Sequence, residues 1–252
     1  MTIKKRSLLW DWTNTDGPGH QGVPWAMDRV NFSGPLHSVS NWNTWTPPEL
    51  KSRAPFRPMV RLEAQLSGDD WKRIESTNEG IIHFFNEPER AGITPQRAAD
   101  IWKRQMLPLR QAKGKKLVSP SCASDPAGQA WIHAFMALVA DRPPDFLGLH
   151  YYGTDGNAAI AYLQSMHNRY PHTPVILSEF ASISRNYNEV LGFTVQLVNW
   201  MDGTDWVFEH ALFGCMRQVA DGFVSPAAQL MNPDGTFKDL MYKYMSDQPM
   251  HL

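Results

Sequence analysis

The sequence is poor in cysteine and carries none of the short motifs that mark common metal, nucleotide and serine-hydrolase sites. Cys122 and Cys215 stand far apart, so no CxxC pair is available for zinc, and we expect two buried free thiols rather than a disulfide. The nine histidines form no HExxH motif, and neither a GxSxG elbow nor a P-loop occurs. The sequence therefore gives no signature of a metal or nucleotide site.

An excess of charge and long apolar runs are also missing. Lysine and arginine together number 24 against 25 acidic residues, so we expect neither nucleic acid nor an anionic membrane surface as a partner. No run approaches the ~20 apolar residues of a membrane span. Near the N-terminus, Leu8–Trp10 is too short for the apolar core of a signal peptide, so the sequence leaves the location of the protein unknown.

The sequence does contain a regular alternation of apolar segments and helical patterns, which is typical of a parallel sheet. Eight such units in 252 residues predict a (β/α)8 barrel, with residues 1–252 as a single domain. An open doubly wound sheet is the alternative, but no glycine-rich fingerprint follows the first strand. The expected strands are Leu8–Trp12, Leu36–Trp42, Arg57–Leu62, Ile81–Glu87, Lys115–Ser119, Asp145–Tyr152, Pro174–Glu179 and Ala211–Met216.

The segments between these strands carry helix signals. Thr94 followed by Pro95 is typical of a helix start, and Pro108 should kink this helix or end its regular part. A helix starting at Pro47, with Thr46 as its cap, should follow the second strand. Further helices are expected over residues 68–77, 128–140, 158–170 and 188–201. A helical turn is expected over Pro24–Val30, and a last helix after Pro226 that is interrupted near Asn232–Gly235.

Two expected strands end in a glutamate. The apolar run from Ile81 reaches Glu87 before Pro88 stops the strand, and a second run reaches Glu179. Because the carboxyl ends of barrel strands share one face, the two carboxylates should face one another there. Two facing carboxylates repel, so one should hold its proton to higher pH than the other. Such a pair is what glycosidic-bond cleavage requires, although each glutamate could instead cap a helix or form an ion pair.

Other polar or aromatic residues fall at expected strand ends and are candidate substrate contacts. Trp12 and Trp42 could stack on sugar rings or could be core residues. Glu63 could contact substrate or pair with Arg61 or another base, and His150 could contact substrate or be a structural imidazole. Asn41 completes this set of candidates.

Four stretches resemble a known enzyme family. The pair Asn86-Glu87-Pro88 and Ser178-Glu179-Phe180 resembles the signature of the retaining glycoside hydrolases of clan A. Within that clan, nearly the whole chain is similar to glycoside hydrolase family 128, most of all in Leu8–Asn14, His83–Pro88 and Leu149–Tyr152. That resemblance implies a (β/α)8 endo-β-1,3-glucanase that needs no cofactor. We expect a monomer that binds β-1,3-glucan and its oligosaccharides, and such a substrate is compatible with extracellular or cell-wall action.

The resemblance also implies roles for single residues. Glu87 matches the acid/base, Glu179 the nucleophile and Asn86 an asparagine that binds the sugar 2-hydroxyl. Tyr152 matches a tyrosine that holds the nucleophile in place. The sequence departs from the clan at the end of the eighth strand, where Cys215-Met216-Arg217 stands in place of the usual tryptophan platform. Another β-linked polymer, such as β-1,4-glucan or mannan, and a non-catalytic glucan-binding barrel are the alternative functions.

Overall fold

The computed structural model describes residues 2–252, and the described part contains eight parallel strands separated by helical segments. All eight expected strands are found, although β3 and β5 are only two residues long. Most strand residues are buried, as in parallel sheets that are covered on both faces. The strands are β1 Arg6–Trp10, β2 Leu36–Ser40, β3 Met59–Val60, β4 Ile81–Phe84, β5 Lys116–Leu117, β6 Leu147–Gly153, β7 Val175–Ser182 and β8 Val207–Cys215.

Parallel pairing closes these strands into a barrel. One sheet has the order β2-β1-β8-β7-β6, and a second has the order β3-β4-β5. Isolated parallel bridges join the two sheets on both sides, between Val39 and Phe56 and between Val118 and Phe146. The predicted (β/α)8 barrel is therefore confirmed. The carboxyl ends of its strands meet at one rim.

Helices occupy most of the connections, close to the predicted ranges. They are α1 Gly68–Ser76, α2 Pro95–Ile101, α3 Leu107–Lys113, α4 Pro126–Leu138, α5 Gly156–Arg169, α6 Tyr187–Asp202 and α7 Asp239–Ser246. The helix expected after β2 is wrong in length, because only the 3₁₀ turn Pro48–Leu50 forms there. This turn lacks a side-chain cap, so the predicted role of Thr46 is wrong too, and Lys51 ends it with a left-handed φ of 50°.

The effect predicted for Pro108 is confirmed. A wide π-type turn, Trp102–Met106, separates α2 from α3 immediately before this proline. Proline has no N–H to donate within the helix and clashes with the preceding turn, and a wider turn accommodates both effects. At the other end of this helical segment, the Thr94 hydroxyl oxygen accepts a bond of 3.1 Å from the Arg97 backbone N–H. The predicted helix start is thus also confirmed.

Part of the barrel interior is polar. Arg57 and Glu209 form a buried ion pair, with 3.0 Å between guanidinium nitrogen and carboxylate oxygen. His83 lines the same small space, and neither of its ring nitrogens has a hydrogen-bond partner within residues 2–252. Burial lowers the pKa of His83 to about 4, so its imidazole is neutral at neutral pH.

Cys122 and Cys215 are free and buried, as the sequence predicts. Burial raises the pKa of both thiols, so neither is a reactive thiolate at neutral pH. In the described part of the chain, no helix combines the length and apolar character that crossing a bilayer requires.

Candidate active site

Glu87 lies on a loop at the rim, not on a strand. β4 ends at Phe84, and both Phe85 and Glu87 have a left-handed φ of 42°. The expected alternation of His83, Phe85 and Glu87 on one strand face is therefore wrong, since left-handed residues interrupt it. The Glu87 backbone N–H donates to the Ser121 carbonyl oxygen at 2.8 Å, which fixes the loop against the connection after β5. Such locally strained backbone persists where surrounding contacts hold it.

Glu179, by contrast, lies inside a regular strand. β7 continues beyond it to Ser182, so the expectation that this strand ends at the glutamate is wrong. The residue before it, Ser178, donates its hydroxyl to that of Ser121 at 2.9 Å. The connection after β5 thus contacts the backbone of Glu87 and also the strand that carries Glu179.

His150 brings the two carboxylates into one cluster. Its Nδ1 lies 3.0 Å from Glu87 Oε1, and its Nε2 lies 3.5 Å from Glu179 Oε1. The ring is completely buried, so it cannot contact substrate directly. Of the two readings of this residue, the structure thus favours a structural imidazole, placed between the two candidate carboxylates.

Neighbouring charges shift the pKa values of His150 and Glu87 in opposite directions. Burial lowers the pKa of His150, but the negative charge of Glu179 and the hydrogen bond and charge of Glu87 outweigh it and raise the pKa overall. Burial raises the pKa of Glu87, whereas the hydrogen bond and charge of His150 and the nearby charge of Arg90 lower it overall. Without a ligand, Glu87 is therefore held ionised by two basic neighbours.

Two neutral donors hold Glu179. The Trp42 indole N–H donates to Oε1 at 2.6 Å, and the Tyr152 hydroxyl donates to Oε2 at 2.8 Å. Trp42 reaches this position from a left-handed φ of 60° just after β2, and only 8% of its surface is exposed. The structure thus places Trp42 and Tyr152 beside the carboxylate, where they fix its orientation.

A cavity of about 390 Å³ opens beside both carboxylates. Its lining divides into two halves: Arg90, Ser124 and Asp125 on the side of Glu87, and Tyr152, Phe213 and Phe223 on the side of Glu179. Such a mixture of aromatic rings and polar groups suits sugar rings, which have apolar faces and hydroxyl edges. The cavity is large enough for a small ligand to meet both carboxylates.

Sequence reasoning missed the aromatic residues of this cavity. Phe213 lies in β8, two residues before Cys215, and packs edge-on against Trp42 and Tyr152. Phe223 comes from the loop after β8 and packs edge-on against Tyr152 from the other side. The sequence signal for Phe213 was its place in the eighth strand; nothing in the sequence marked Phe223.

The loop Gln218–Val224, which carries Phe223, is fastened at both ends by arginines. Arg217 donates to the Thr13 and Gln21 carbonyl oxygens at 3.1 and 2.9 Å. Arg185 donates to the Val224 and Gly222 carbonyl oxygens at 2.8 and 2.6 Å. The loop therefore has a fixed position between the connections that follow β1 and β7.

Trp12 lies in a neighbouring cavity of about 430 Å³. Its ring is 44% exposed and meets His20 edge-on at a centroid distance of 5.5 Å. Ala220 borders this cavity and also the one beside the carboxylates. Trp12 is thus accessible to a ligand, on the far side of the loop from Glu87 and Glu179.

The remaining candidate contacts separate into one near the carboxylates and two away from them. Asn86 precedes Glu87, and its buried Oδ1 has no hydrogen-bond partner among residues 2–252. Asn41 is buried and bonded to Asn43 and the Trp45 carbonyl, while Glu63 pairs with Arg97 at 2.9 Å. Neither Asn41 nor Glu63 lines the cavity of the carboxylates, and Glu63 has the basic partner that the sequence left open as its alternative. The side chain of Asn41 is bonded within its own loop, and that of Glu63 pairs with a residue of α2.

No metal-binding cluster was found in the part of the chain that the structure describes. Over residues 2–252, no three His, Cys, Asp or Glu side chains converge in a way that could hold a metal ion. The described groups at the rim therefore offer carboxylate, imidazole, hydroxyl, indole and guanidinium chemistry.

Comparison with solved structures finds close relatives of this barrel. The crystal structure of a glycoside hydrolase family 128 (subgroup VI) exo-β-1,3-glucanase from Aureobasidium namibiae has a TM-score of 0.97 and 65% sequence identity, over 100% of both chains. An endo-β-1,3-glucanase of the same family (subgroup IV) from Lentinula edodes has a TM-score of 0.79 and 24% identity, over 96% of this chain and 98% of that one. The second likeness shows the same fold.

Sequence comparisons agree with the structural ones. The chain is 24% identical to alkali-sensitive linkage protein 1 of Schizosaccharomyces pombe in an alignment 250 positions long, which covers 92% of this chain but only 42% of that protein. A family model described as the glycosyl hydrolase catalytic core matches residues 24–244. This match and the 65% identity to the Aureobasidium enzyme show that the chain belongs to glycoside hydrolase family 128.

Proposed function

We propose that residues 1–252 form one catalytic domain that hydrolyses β-1,3-glucan with retention of anomeric configuration. The observation that carries this proposal is the cluster in which His150 contacts both Glu87 and Glu179 beside an open cavity. Retaining glycosidases need two carboxyl groups on either side of the scissile bond. Membership of family 128 supports a glucosidic bond as the target.

In the first step, a Glu179 carboxylate oxygen attacks the anomeric carbon. The bond between that carbon and the glycosidic oxygen breaks, and Glu87 donates its proton to the departing oxygen. The hydrogen bonds from Trp42 and Tyr152 support this role for Glu179, because they fix the orientation of its carboxylate. The product of this step is a glucosyl ester on Glu179.

Glu87 needs a proton for this step although its neighbours favour the ionised form. We propose that His150 supplies it, because Nδ1 lies one hydrogen bond from Glu87 Oε1. The charge of Glu179 helps His150 to keep a proton, and that charge disappears when the ester forms. Attack by Glu179 therefore favours the transfer of a proton from His150, through Glu87, to the leaving oxygen. This proton transfer in turn favours the attack.

In the second step, the proton travels back. Glu87 accepts a proton from water as the water oxygen attacks the anomeric carbon, and the ester bond to Glu179 breaks. The restored charge on Glu179 again favours a protonated His150. Two inversions at the same carbon give net retention.

We propose that cleavage proceeds from a chain end. The 65% identity to the exo-acting Aureobasidium enzyme supports this mode over the internal cleavage expected from the sequence. The loop Gln218–Val224 is compatible with it, because the loop limits the cavity beside the carboxylates on one side. The unpaired Asn86 Oδ1 is proposed to accept a hydrogen bond from a sugar hydroxyl near the reacting carbon.

A defined β-1,3-linked glucan oligosaccharide tests linkage, mode and stereochemistry together. We expect its first product to carry the β-configuration in a time-resolved NMR spectrum, with one product size appearing from the start. Random internal fragments would support endo action instead. An α-configured first product, or faster cleavage of β-1,4-glucan or mannan, would contradict the proposal.

A further inference from the structure

Two tryptophans and a histidine form a second aromatic surface, on the opposite face of the barrel from the carboxylates. Trp206 immediately precedes β8, while Trp200 and His167 lie in the last turns of α6 and α5. In a (β/α)8 barrel, helices end and strands begin at the amino-terminal face, whereas active sites lie at the other face. A ligand bound here would not occupy the candidate active site.

The rings are arranged around an open groove. The His167 and Trp206 rings stack with centroids 4.2 Å apart and planes 4° apart, and Trp200 meets Trp206 edge-on at 5.5 Å. All three side chains are only half-buried. The groove encloses about 500 Å³, within the range of small-ligand sites. It is lined by Gln164, His167, Asn168, Trp200, Thr204 and Trp206.

Hydrogen-bonding groups around the groove are unused. The indole N–H groups of Trp200 and Trp206, and the side-chain amides of Gln164 and Asn168, have no partner among residues 2–252, whereas the four buried indoles donate to protein oxygens. None of the lining residues is Lys, Arg, Asp or Glu. The lining offers an uncharged chain of sugar hydroxyls both hydrogen-bond donors and acceptors.

We propose that this groove, formed by α5, α6 and the segment before β8, is a non-catalytic binding site for a β-1,3-glucan chain. The proposal rests on the function proposed above, because the polymer that the enzyme cleaves is the neutral polysaccharide present at high local concentration. A second, weak site on the same polymer raises the effective concentration of the active site. The gain applies to an insoluble polymer and disappears for an oligosaccharide too short to reach both faces.

Adsorption to insoluble β-1,3-glucan tests the groove directly. In a Glu179→Gln background, which prevents turnover, we compare Trp206→Ala and the double substitution Gln164→Ala/Asn168→Ala with the parent in a pelleting assay. We expect adsorption to weaken about fivefold in each case, the size of effect that loss of one sugar-stacking ring or two hydrogen bonds produces. Trp25→Ala is the matched control, because Trp25 is 43% exposed but lies outside the groove.

The variants are also compared without the Glu179→Gln substitution. On a short soluble β-1,3 oligosaccharide, all should match the wild-type rate, and on insoluble glucan the groove variants should be slower. The double substitution changes only exposed side chains and should fold. It therefore tests the groove even if Trp206→Ala fails to fold. Unchanged adsorption in a folded double variant, or an equal loss of adsorption to cellulose, would overturn the proposal. If the wild type fails to cleave the soluble oligosaccharide while groove-dependent adsorption persists, the proposed function fails and the binding site stands.

Discussion

Glu87 and Glu179 meet the same cavity in contrasting environments. Glu179 is in a regular strand, its side chain is 8% exposed, and a neutral hydroxyl and a neutral indole hold it. Glu87 is on a strained loop, its side chain is 23% exposed, and its partners His150 and Arg90 are basic. A group that attacks one carbon benefits from fixed geometry, whereas a group that gives and takes a proton needs surroundings that change. The two environments match the two proposed roles.

The largest expected effect comes from Glu179→Gln, which removes the attacking oxygen anion. We expect turnover of β-1,3-glucan to fall by about 10⁴-fold or more, because losing a nucleophile removes the covalent route. Initial rates measured by reducing-end release check this. Glu63→Gln is the control, since Glu63 pairs with Arg97 outside the cavity and should keep activity within about twofold.

The loss of activity in Glu87→Gln should depend on the leaving group of the substrate, which distinguishes the role of Glu87 from that of Glu179. We expect a loss of about 10²- to 10⁴-fold on glucan, the usual contribution of general acid–base catalysis. An aryl glucoside with a good leaving group should still form the ester on Glu179, seen as a burst of released phenol. Equal losses on both substrates would contradict the assignment of Glu87 as the acid.

Tyr152→Phe removes one of the neutral donors that hold Glu179. A hydrogen bond to a charged group contributes about 1.5–3 kcal/mol, so we expect the turnover number to fall by about 10- to 100-fold with little change in KM. Tyr151→Phe is the control, because Tyr151 packs against Tyr162 and Phe193 and lies away from the carboxylates. An equal loss in both variants would indicate damage to the strand instead.

The smallest expected effect concerns Arg90, which lies 3.4 Å from Glu87 and is largely exposed. Its charge contributes to lowering the pKa of Glu87, so Arg90→Gln should raise that pKa. The first step needs the one proton that His150 and Glu87 share, so the alkaline limb of kcat/KM should move to higher pH when the positive charge of Arg90 is removed, by less than about one unit for an exposed pair. Arg97→Gln should leave the limb in place. A shift to lower pH in Arg90→Gln would contradict the proposed role of Glu87.

Much of the fold followed from the sequence because it depends on local patterns. Buried strands and amphipathic helices repeat in order, and Pro108 and Thr94 act through their own backbone, so these features could be predicted. The end of β4 could not be predicted, because the left-handed residues Phe85 and Glu87 are held by a contact with the connection after β5. The end of β7 could not be predicted either, because the strand continues past Glu179 by pairing with β6 as far as Ser182. No pattern within either segment contains these contacts.

The candidate site followed from the sequence only in part. Glu87, Glu179 and Tyr152 come together as the resemblance implied. The bridging position of His150 could not be predicted, because it depends on how three strands curve around the rim. Asn41 stood at a strand end like the others, but its side chain is used within its own loop. Position at a strand end therefore predicts which face a residue approaches, and not whether its side chain is free.

The loop Gln218–Val224 is held in place by two arginines that touch no carboxylate. Ala220 borders the cavity of Glu87 and also the one that exposes Trp12, so moving this loop would enlarge one space at the expense of the other. Arg185 and Arg217 fix its position by donating hydrogen bonds to backbone carbonyl oxygens, which every residue type provides. Residues 218–224 could thus change in side chain while the boundary stays in place. Changing Arg185 or Arg217 would therefore move the boundary between the two cavities and leave the reacting groups untouched.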